Sequence, residues 1–594
     1  MAERKQQLVR DKVSRLVNWG HWFAAFNGLL AIIVGSRYLD TVGYPETLIG
    51  WGYLSLSSIG QFSFLAFMVY LLLVFPVTLL LPYSKILRGL AATVATLALC
   101  LMLYDTIVYD DYGMHLSPFA FDLAWADLNA LLHGTSYIIT PLAIIGLELT
   151  AANFLWKRID KLQKRKIGPK VAGFIAVCFI SSHLVHIWAD AADVKDITRF
   201  DDVYPLFYPA TAKRFMENHG LDALAEDLPH EQQQQLQYPV NPLQCQKEQG
   251  AKVLLLTIDS LRADMVTEET MPFLSIYARD NQQFSQHYSG GNQAYSGLFS
   301  LLYGLQGSYL GNNAFAGQSP LLTRELARQG YSLARFMGET NDQLPQKLGI
   351  YDDFSAFISD DSRSSAAADL ASIQSFRTWQ ADQTGPWFAL LNLSAPENYD
   401  TPVGFSGTAT ISAPEELKPA QRVLFNQYRQ SLRFIDASLQ SLLTSLDDDI
   451  VVIITGLNGK LFTSNQTEAR RDLSPQSVRV PLVIHWPGEP AARITHRTSH
   501  HGLVPLLMTR LLGCSNAITD YSAGRQLETP SEQQWVYVGD NRYFAIYQND
   551  EVTVIDRHGK YRIYDGEFNQ RLKKKMSAPE LIQVMREGRR LYKH

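Results

Sequence analysis

Cysteine is scarce. Four in 594 residues are too few for a disulfide scaffold. Cys100 and Cys178 sit within apolar runs, while Cys245 and Cys514 lie far apart in the polar part and either pair or remain free thiols. Excess charge of one sign is also missing. Lys and Arg number 53 against 58 Asp and Glu, a formal net charge of −5. With no long basic run after residue 199, the composition gives no footing for nucleic-acid binding. The balance is uneven along the chain: residues 1–199 hold 17 basic and 14 acidic residues, and the remainder 36 and 44. A length of 594 residues leaves room for several domains of about 150 residues.

What the first third has in abundance is long apolar sequence. Five stretches, approximately 19–39, 53–81, 89–109, 135–156 and 171–189, are long enough to cross a hydrocarbon core of about 30 Å as helices. The first is not a cleaved signal peptide, since it contains Asn27, lacks a small-residue cleavage pattern and is followed by four more. Basic residues alternate by loop. Arg4, Lys5, Arg10, Lys12 and Arg15 precede the first stretch, Lys85 and Arg88 follow the second, and seven Lys and Arg lie between 157 and 170. The intervening loops carry Asp40 and Glu46, then Asp105, Asp110, Asp111, Asp122 and Asp127, then Asp190 and Asp193. Positive charge marks the cytoplasmic side, so the N-terminus is expected inside and everything after residue 190 outside. Trp19, Trp22, Tyr104, Tyr109, Trp156 and Trp188 fall at span ends, as interfacial belts require. Glu148 lies within the fourth span; it reads as a helix-packing contact, with a proton or substrate path as the alternative.

Beyond the fifth span, residues 196–220 read DITRFDDVYPLFYPATAKRFMENHG. Pro205 and Pro209 interrupt any helix, and Thr211 is placed to cap a short one carrying Phe215 and Met216 near Lys213 and Arg214. Such an element suits the headgroup layer; a solvated amphipathic turn is the plainer reading of two adjacent cations. Residues 221–249, with four consecutive glutamines and Pro239 and Pro242, read as a polar linker with a weak helix.

From residue 252 short apolar runs alternate with helical patterns. Residues 253–258, 332–336, 387–393, 450–455 and 481–485 read as buried strands, and 321–329 and 419–446 as helices. The pattern predicts an α/β domain with a largely parallel sheet. Past about residue 533 the segments WVYVG, YFAIYQ, EVTVID and KYRIYD alternate like an antiparallel meander, closed by an amphipathic helix from about Ala578.

In parallel sheets chemistry sits at the carboxyl ends of strands. The first strand delivers Thr257-Ile258-Asp259-Ser260; together with PWFALLNLSAPE and VPLVIHWPG, this resembles the alkaline phosphatase/sulfatase superfamily over roughly residues 250–515. The resemblance implies a divalent metal held by a strand-end carboxylate and a later Asp-His pair, with a hydroxyl or modified Cys as nucleophile. Here Asp259 matches the first carboxylate, but Gln293 stands in the hydroxyl position, Leu457-Asn458 in the Asp-His position, and Glu397 where the family has the His of Ala-Pro-His. Leucine does not coordinate metal, and one carboxylate does not retain a divalent ion. The site is therefore expected to be vestigial, without catalytic residues, metal or cofactor. Asp259 is left as a helix N-cap, and Ser289 and Ser296 are the nearest substitute hydroxyls.

Over its whole length the chain resembles the YejM/PbgA-type inner-membrane proteins of Gram-negative bacteria, through VNWGHWFAAFN at 17–27, GSRYL at 35–39, SSHLVHIWADA at 181–191, YPATAKRFMENHG at 208–220 and VPLVIHWPG at 480–488. That family's organisation implies a five-span transmembrane domain at 1–190, an interfacial segment and linker at 191–249, a sulfatase-like periplasmic α/β domain at 250–532 and its C-terminal strands and helix at 533–594. It further implies a non-enzymatic sensor of lipopolysaccharide in the inner membrane, with partners lipid A, anionic phospholipids and, through the spans, a LapB adaptor that works with FtsH on LpxC. Lys213, Arg214, Thr211 and Phe215 would contact the lipid. The family commonly has two arginines where this chain has Lys213 and Arg214, so bidentate phosphate contact is left to Arg214. The alternatives are a metal-dependent envelope phosphatase, sulfatase or phospho-group transferase, and cardiolipin binding or transport.

Overall fold

The structure, a computed structural model, describes residues 2–592 except 81–82, 113–114, 117–135, 193, 201–202, 210–235, 247–249, 311–317, 339–344, 346–347, 360–363, 406, 408–412, 414–416, 463–470, 531–534, 541, 557–558 and 576–577. The chain forms two compact units, one from residues 1–234 together with 578–583 and one from residues 235–577 and 584–594.

Among its described residues the first unit holds five long helices: α1 (Ala2–Gly35), α2 (Leu48–Val69), α3 (Ser84–Tyr112), α4 (Ser136–Lys164) and α5 (Gly168–Ala191). α2 runs on through a π-helical turn, Tyr70–Val74, into Phe75–Leu80. Pro76 follows that turn, and its missing N–H and bulky ring account for the break in ordinary helical bonding there. At its other end the second span begins at Leu48, earlier than the apolar run alone predicts. Among the described residues, five helices are long and apolar enough to cross a membrane.

Small residues let the helices approach. A Cβ on Gly60 of α2 would lie 2.7 Å from the Phe179 Cα of α5. Two polar contacts link the helices. The Trp19 indole donates to the Ala152 carbonyl at 3.0 Å, and Asn27 Nδ2 donates to Glu148 Oε2 at 3.2 Å. Glu148 thus makes the expected helix-packing contact.

After α5 the chain folds back onto the same helices. Asp196 accepts the backbone N–H groups of Glu46 and Thr47 at 3.1 and 3.0 Å, and Thr47 caps α2 through the Gly50 N–H at 3.0 Å. Arg199 donates to the Tyr44 carbonyl at 2.6 Å. The Tyr204 hydroxyl meets Ser58 at 2.5 Å, and Gln61 donates to the Pro205 carbonyl at 3.0 Å. Tyr204 and Phe207 are buried with Phe62, so they pack within the helical unit; Leu206 and Tyr208 remain exposed.

The second unit is built on an eight-stranded sheet of order β5-β4-β6-β1-β7-β8-β2-β9. Its strands are β1 (Lys252–Ile258), β2 (Gln282–Phe284), β4 (Ser332–Gly338), β5 (Ser355–Ser359), β6 (Trp387–Leu393), β7 (Ile450–Gly456), β8 (Leu482–His485) and β9 (Ala492–Ile494). Only β8 runs against the rest. β1, β6 and β7 are almost wholly buried, which explains their continuous apolar runs. α6 (Pro272–Arg279), α7 (Ala294–Tyr303), α8 (Leu321–Arg328), α9 (Ser365–Ala381), α10 (Pro419–Leu443) and α11 (Leu503–Arg510) accompany them. A pair of two-residue strands, β3 (His287–Tyr288) and β10 (Thr498–Ser499), lies apart from the main sheet. The meander is a separate antiparallel sheet, β11 (Val536–Gly539) to β15 (Arg571–Leu572), followed by α12 (Ala578–Arg589). Residues 236–246 belong to this unit as an extended strap. Gln237 donates to the Leu591 carbonyl at 2.8 Å, Val240 to that of Asp520 at 2.8 Å, and Cys245 is disulfide-bonded to Cys514.

Candidate functional site

Register places the site. Ile258 of β1 stands level with Leu393 of β6 and Gly456 of β7. The three strands therefore release Asp259, Ser394 and Leu457 side by side, at the strand ends where such sheets carry chemistry.

Asp259 donates its backbone N–H to the Leu393 carbonyl at 2.9 Å and accepts a hydrogen bond from Asn392 Nδ2 at 3.3 Å. It is not a helix N-cap: a turn follows, then a single 3-10 turn at Ala263–Met265 whose cap position is Arg262. The stretch after β1 is too extended to form the expected α-helix, because Ser260 adopts φ = 59°, a left-handed conformation unusual for a residue with a side chain. Three neighbours hold it there. Its N–H donates to Asn458 Oδ1 at 3.1 Å, its carbonyl accepts the Tyr428 hydroxyl at 2.6 Å, and its own hydroxyl donates to Glu397. Glu397 is ion-paired with Lys460 at 2.9 Å.

The other residues converge on the same point. Ser289 donates through its hydroxyl to the Leu457 carbonyl at 2.5 Å, and Ser296 to the Gln293 carbonyl at 2.8 Å. Both substitute hydroxyls are thus engaged with backbone carbonyls. Gln293 occupies the cap position before α7 and turns its amide onto the Asn292 carbonyl at 3.0 Å. The first turn of α7 lies against the Leu457 backbone so closely that a Cβ on Gly297 would collide with the Leu457 carbonyl. Leu457 itself is buried.

Asp369, in the second turn of α9, carries no sequence signal. It accepts the N–H groups of Ser394 and Ala395 at 2.9 and 2.8 Å and so fixes the loop bearing Glu397. Burial, with Asp259 and Asp400 adding repulsion, pushes its carboxyl up to about 7. Lys460 was also missed, although it lies only two residues beyond Asn458.

The donor set does not fit a divalent metal. Asp259 is followed around the site by an alkyl side chain at 457, an amide at 458 whose oxygen already accepts the Ser260 N–H, and an amide at 293. No group of three or more His, Cys, Asp and Glu stands together as a metal site among the described residues. The two carboxylates Asp259 and Glu397 also disfavour an anionic substrate. Thr211, Lys213, Arg214 and Phe215 lie outside the described residues.

The fold and this strand-end geometry define a multi-pass membrane protein carrying an α/β domain of the sulfatase type. Residues 251–513 match the sulfatase family model, and residues 5–245 match that of a domain of unknown function, DUF3413. The chain is 33% identical over 607 aligned residues to the inner membrane protein YejM of Salmonella typhi, covering 98% of this chain and 99% of that one. An uncharacterized protein of Haemophilus influenzae is 29% identical over 581 residues, 94% of this chain and 93% of that one. Among solved structures, an alkaline phosphatase superfamily protein from Vibrio parahaemolyticus superposes with a TM-score of 0.47 at 15% identity, covering 62% of this chain and 91% of that one. The chain belongs to the YejM family of inner-membrane proteins.

Proposed function

We propose that the chain is a catalytically inactive sensor-regulator of lipopolysaccharide synthesis. It binds lipid A or anionic phospholipid at the periplasmic face through Lys213 and Arg214, aided by Thr211 and Phe215, and signals through its spans to a LapB-type adaptor controlling LpxC proteolysis by FtsH. The observation that carries the non-enzymatic half is the engagement of Asn458 and Glu397 by Ser260 and Lys460, where the superfamily resemblance calls for metal- and anion-holding groups. The regulatory half rests on the family relationship and the charge of the post-span segment. Loop charge supports a periplasmic second unit. The fold-back of residues 195–200 and 203–209 onto the helical unit offers a physical route from that segment to the spans, since Tyr204 and Pro205 are bonded directly to Ser58 and Gln61.

Native mass spectrometry of the full chain with retained lipids tests this reading. A bound lipid A-type mass and no divalent metal is the expected result. Retained cardiolipin without lipid A, or a stoichiometric divalent ion, contradicts it.

A further inference from the structure

The sheet edges of the second unit differ in how they are guarded. β9 closes one side of the eight-stranded sheet with three residues and an exposed Arg493 at their centre. In the meander sheet, β11 is buried throughout, and β15 is two residues long and followed by exposed Lys573, Lys574 and Lys575. Short length, charge and cover are how proteins keep an edge from pairing with another chain. The remaining edge, β5, has none of these. Among the described residues it pairs with β4 alone, and its five residues, Ser-Ala-Phe-Ile-Ser, carry no charge and no proline. Residues 355–358 are all exposed, Phe357 by 37% and Ile358 by 43%.

Side chains alternate faces along a strand, so Phe357 and Ile358 open opposite faces. Phe357 ends an aromatic row. Trp379 of α9 meets Phe336 of β4 with ring centroids 5.5 Å apart, and Phe336 stacks on Phe357 at 4.9 Å. The charge around this apolar strip is negative. Residues 351–362 hold four aspartates and no cation, and Asp352, just before β5, is exposed. Arg335 of the neighbouring strand is stacked on the Tyr351 ring, 4.0 Å from its centroid. We propose that β5 is a docking edge for an extended segment of another protein, apolar at alternate positions and basic at its ends, which adds to the eight-stranded sheet as a further strand. Backbone hydrogen bonds supply the affinity and alternate side chains the specificity. One apolar side chain continues the aromatic row past Phe357, and lysine or arginine meets the acidic flank. An anionic membrane surface and a second copy of this chain are both disfavoured, because each brings like charges together. The edge shares no residue with 208–220 and stands independently of the proposed regulatory role.

The test uses the full chain in zwitterionic lipid nanodiscs and a fluorescein-labelled peptide, KKTVTVTKK, followed by fluorescence anisotropy. The peptide binds saturably with a dissociation constant below about 100 μM. KKTVPVTKK, of the same charge but with a proline that cannot donate to a sheet ladder, and the acidic EETVTVTEE each bind at least about tenfold more weakly. Ile358→Lys, which sets a cation on the edge, weakens binding at least about tenfold, whereas Ile358→Val retains it. Asp352→Lys, at an exposed position outside the strand, weakens it at least about threefold and carries the test if Ile358→Lys does not fold. Three results overturn the proposal: no saturable binding of KKTVTVTKK, equal binding of the proline peptide, or an Asp352→Lys chain that binds as the parent does. Sedimentation of the chain in detergent covers the other occupant. A dimer that Ile358→Lys dissociates assigns the edge to a second copy and overturns the proposal as well.

Discussion

Asn458 accepts the backbone N–H of Ser260 at 3.1 Å. The amide standing where the superfamily resemblance calls for a metal-binding group thereby holds a left-handed residue just after β1. If the site is structural, Asp259→Asn changes stability by less than about 1 kcal/mol and leaves cellular function intact. Elemental analysis of the purified chain finds no stoichiometric Mg, Mn or Zn. Hydrolysis of a phosphate or sulfate ester that Asp259→Asn abolishes is the contrary result.

The second unit is expected to be acid-sensitive. His287, His500 and His501 are buried, and burial holds His287 well below its ordinary range, His500 to about 3 and His501 to about 4. Unfolded, each binds a proton near pH 6.5, so the unfolded chain takes up three protons that the folded one refuses. Asp369, raised to about 7, works in the opposite sense, because the folded chain holds its proton down to the unfolded carboxylate range. Three histidines outweigh the raised carboxyl, so stability falls as the pH drops through the unfolded histidine range near 6.5. Urea unfolding of this unit at pH 7.5 and 5.5 measures it, and a flat profile refutes the account.

The Cys245–Cys514 disulfide spans 269 residues and ties the strap ahead of β1 to the segment after α11. Cys245→Ser with Cys514→Ser lowers the stability of the second unit by about 3–5 kcal/mol. Thermal melts with and without reductant check this: reductant destabilises the parent and leaves the double variant unchanged.

Helix contact at Gly60 gives a prediction for the first unit. Gly60→Ala forces α2 from α5 and costs about 1–3 kcal/mol through overpacking. Gly146→Ala on α4, where a Cβ meets nothing within 4 Å, is neutral or stabilises by up to about 1 kcal/mol. Thermal stability in detergent distinguishes the two.

The spans and buried strands were legible because each is a long or continuous apolar run, and their positions differ from expectation mainly at polar ends such as Leu48, where Thr47 and Asp196 extend the helix. The altered site positions were legible through the motif's spacing. Asp369 was not, since a lone acid in a helical pattern looks like solvated surface until the fold brings it beneath Ser394 and Ala395. Ser260 was hidden for a related reason: its left-handed backbone is imposed by Asn458, Tyr428 and Glu397, all more than 130 positions away. The role of Asp259 as a helix cap failed on that same residue.

Recognition of phosphorylated lipid by the post-span segment is the core of the proposed function. The most direct measurement is the affinity of the full chain in nanodiscs for bis-phosphorylated lipid A, with the parent compared with a Lys213→Ser, Arg214→Ser double variant. Two charge-assisted phosphate contacts of about 1.5–3 kcal/mol each predict binding about two to four orders of magnitude weaker, with folding and insertion unchanged. Lys213→Arg is expected to strengthen it by adding a second bidentate group. A double variant that binds lipid A as tightly as the parent contradicts the account.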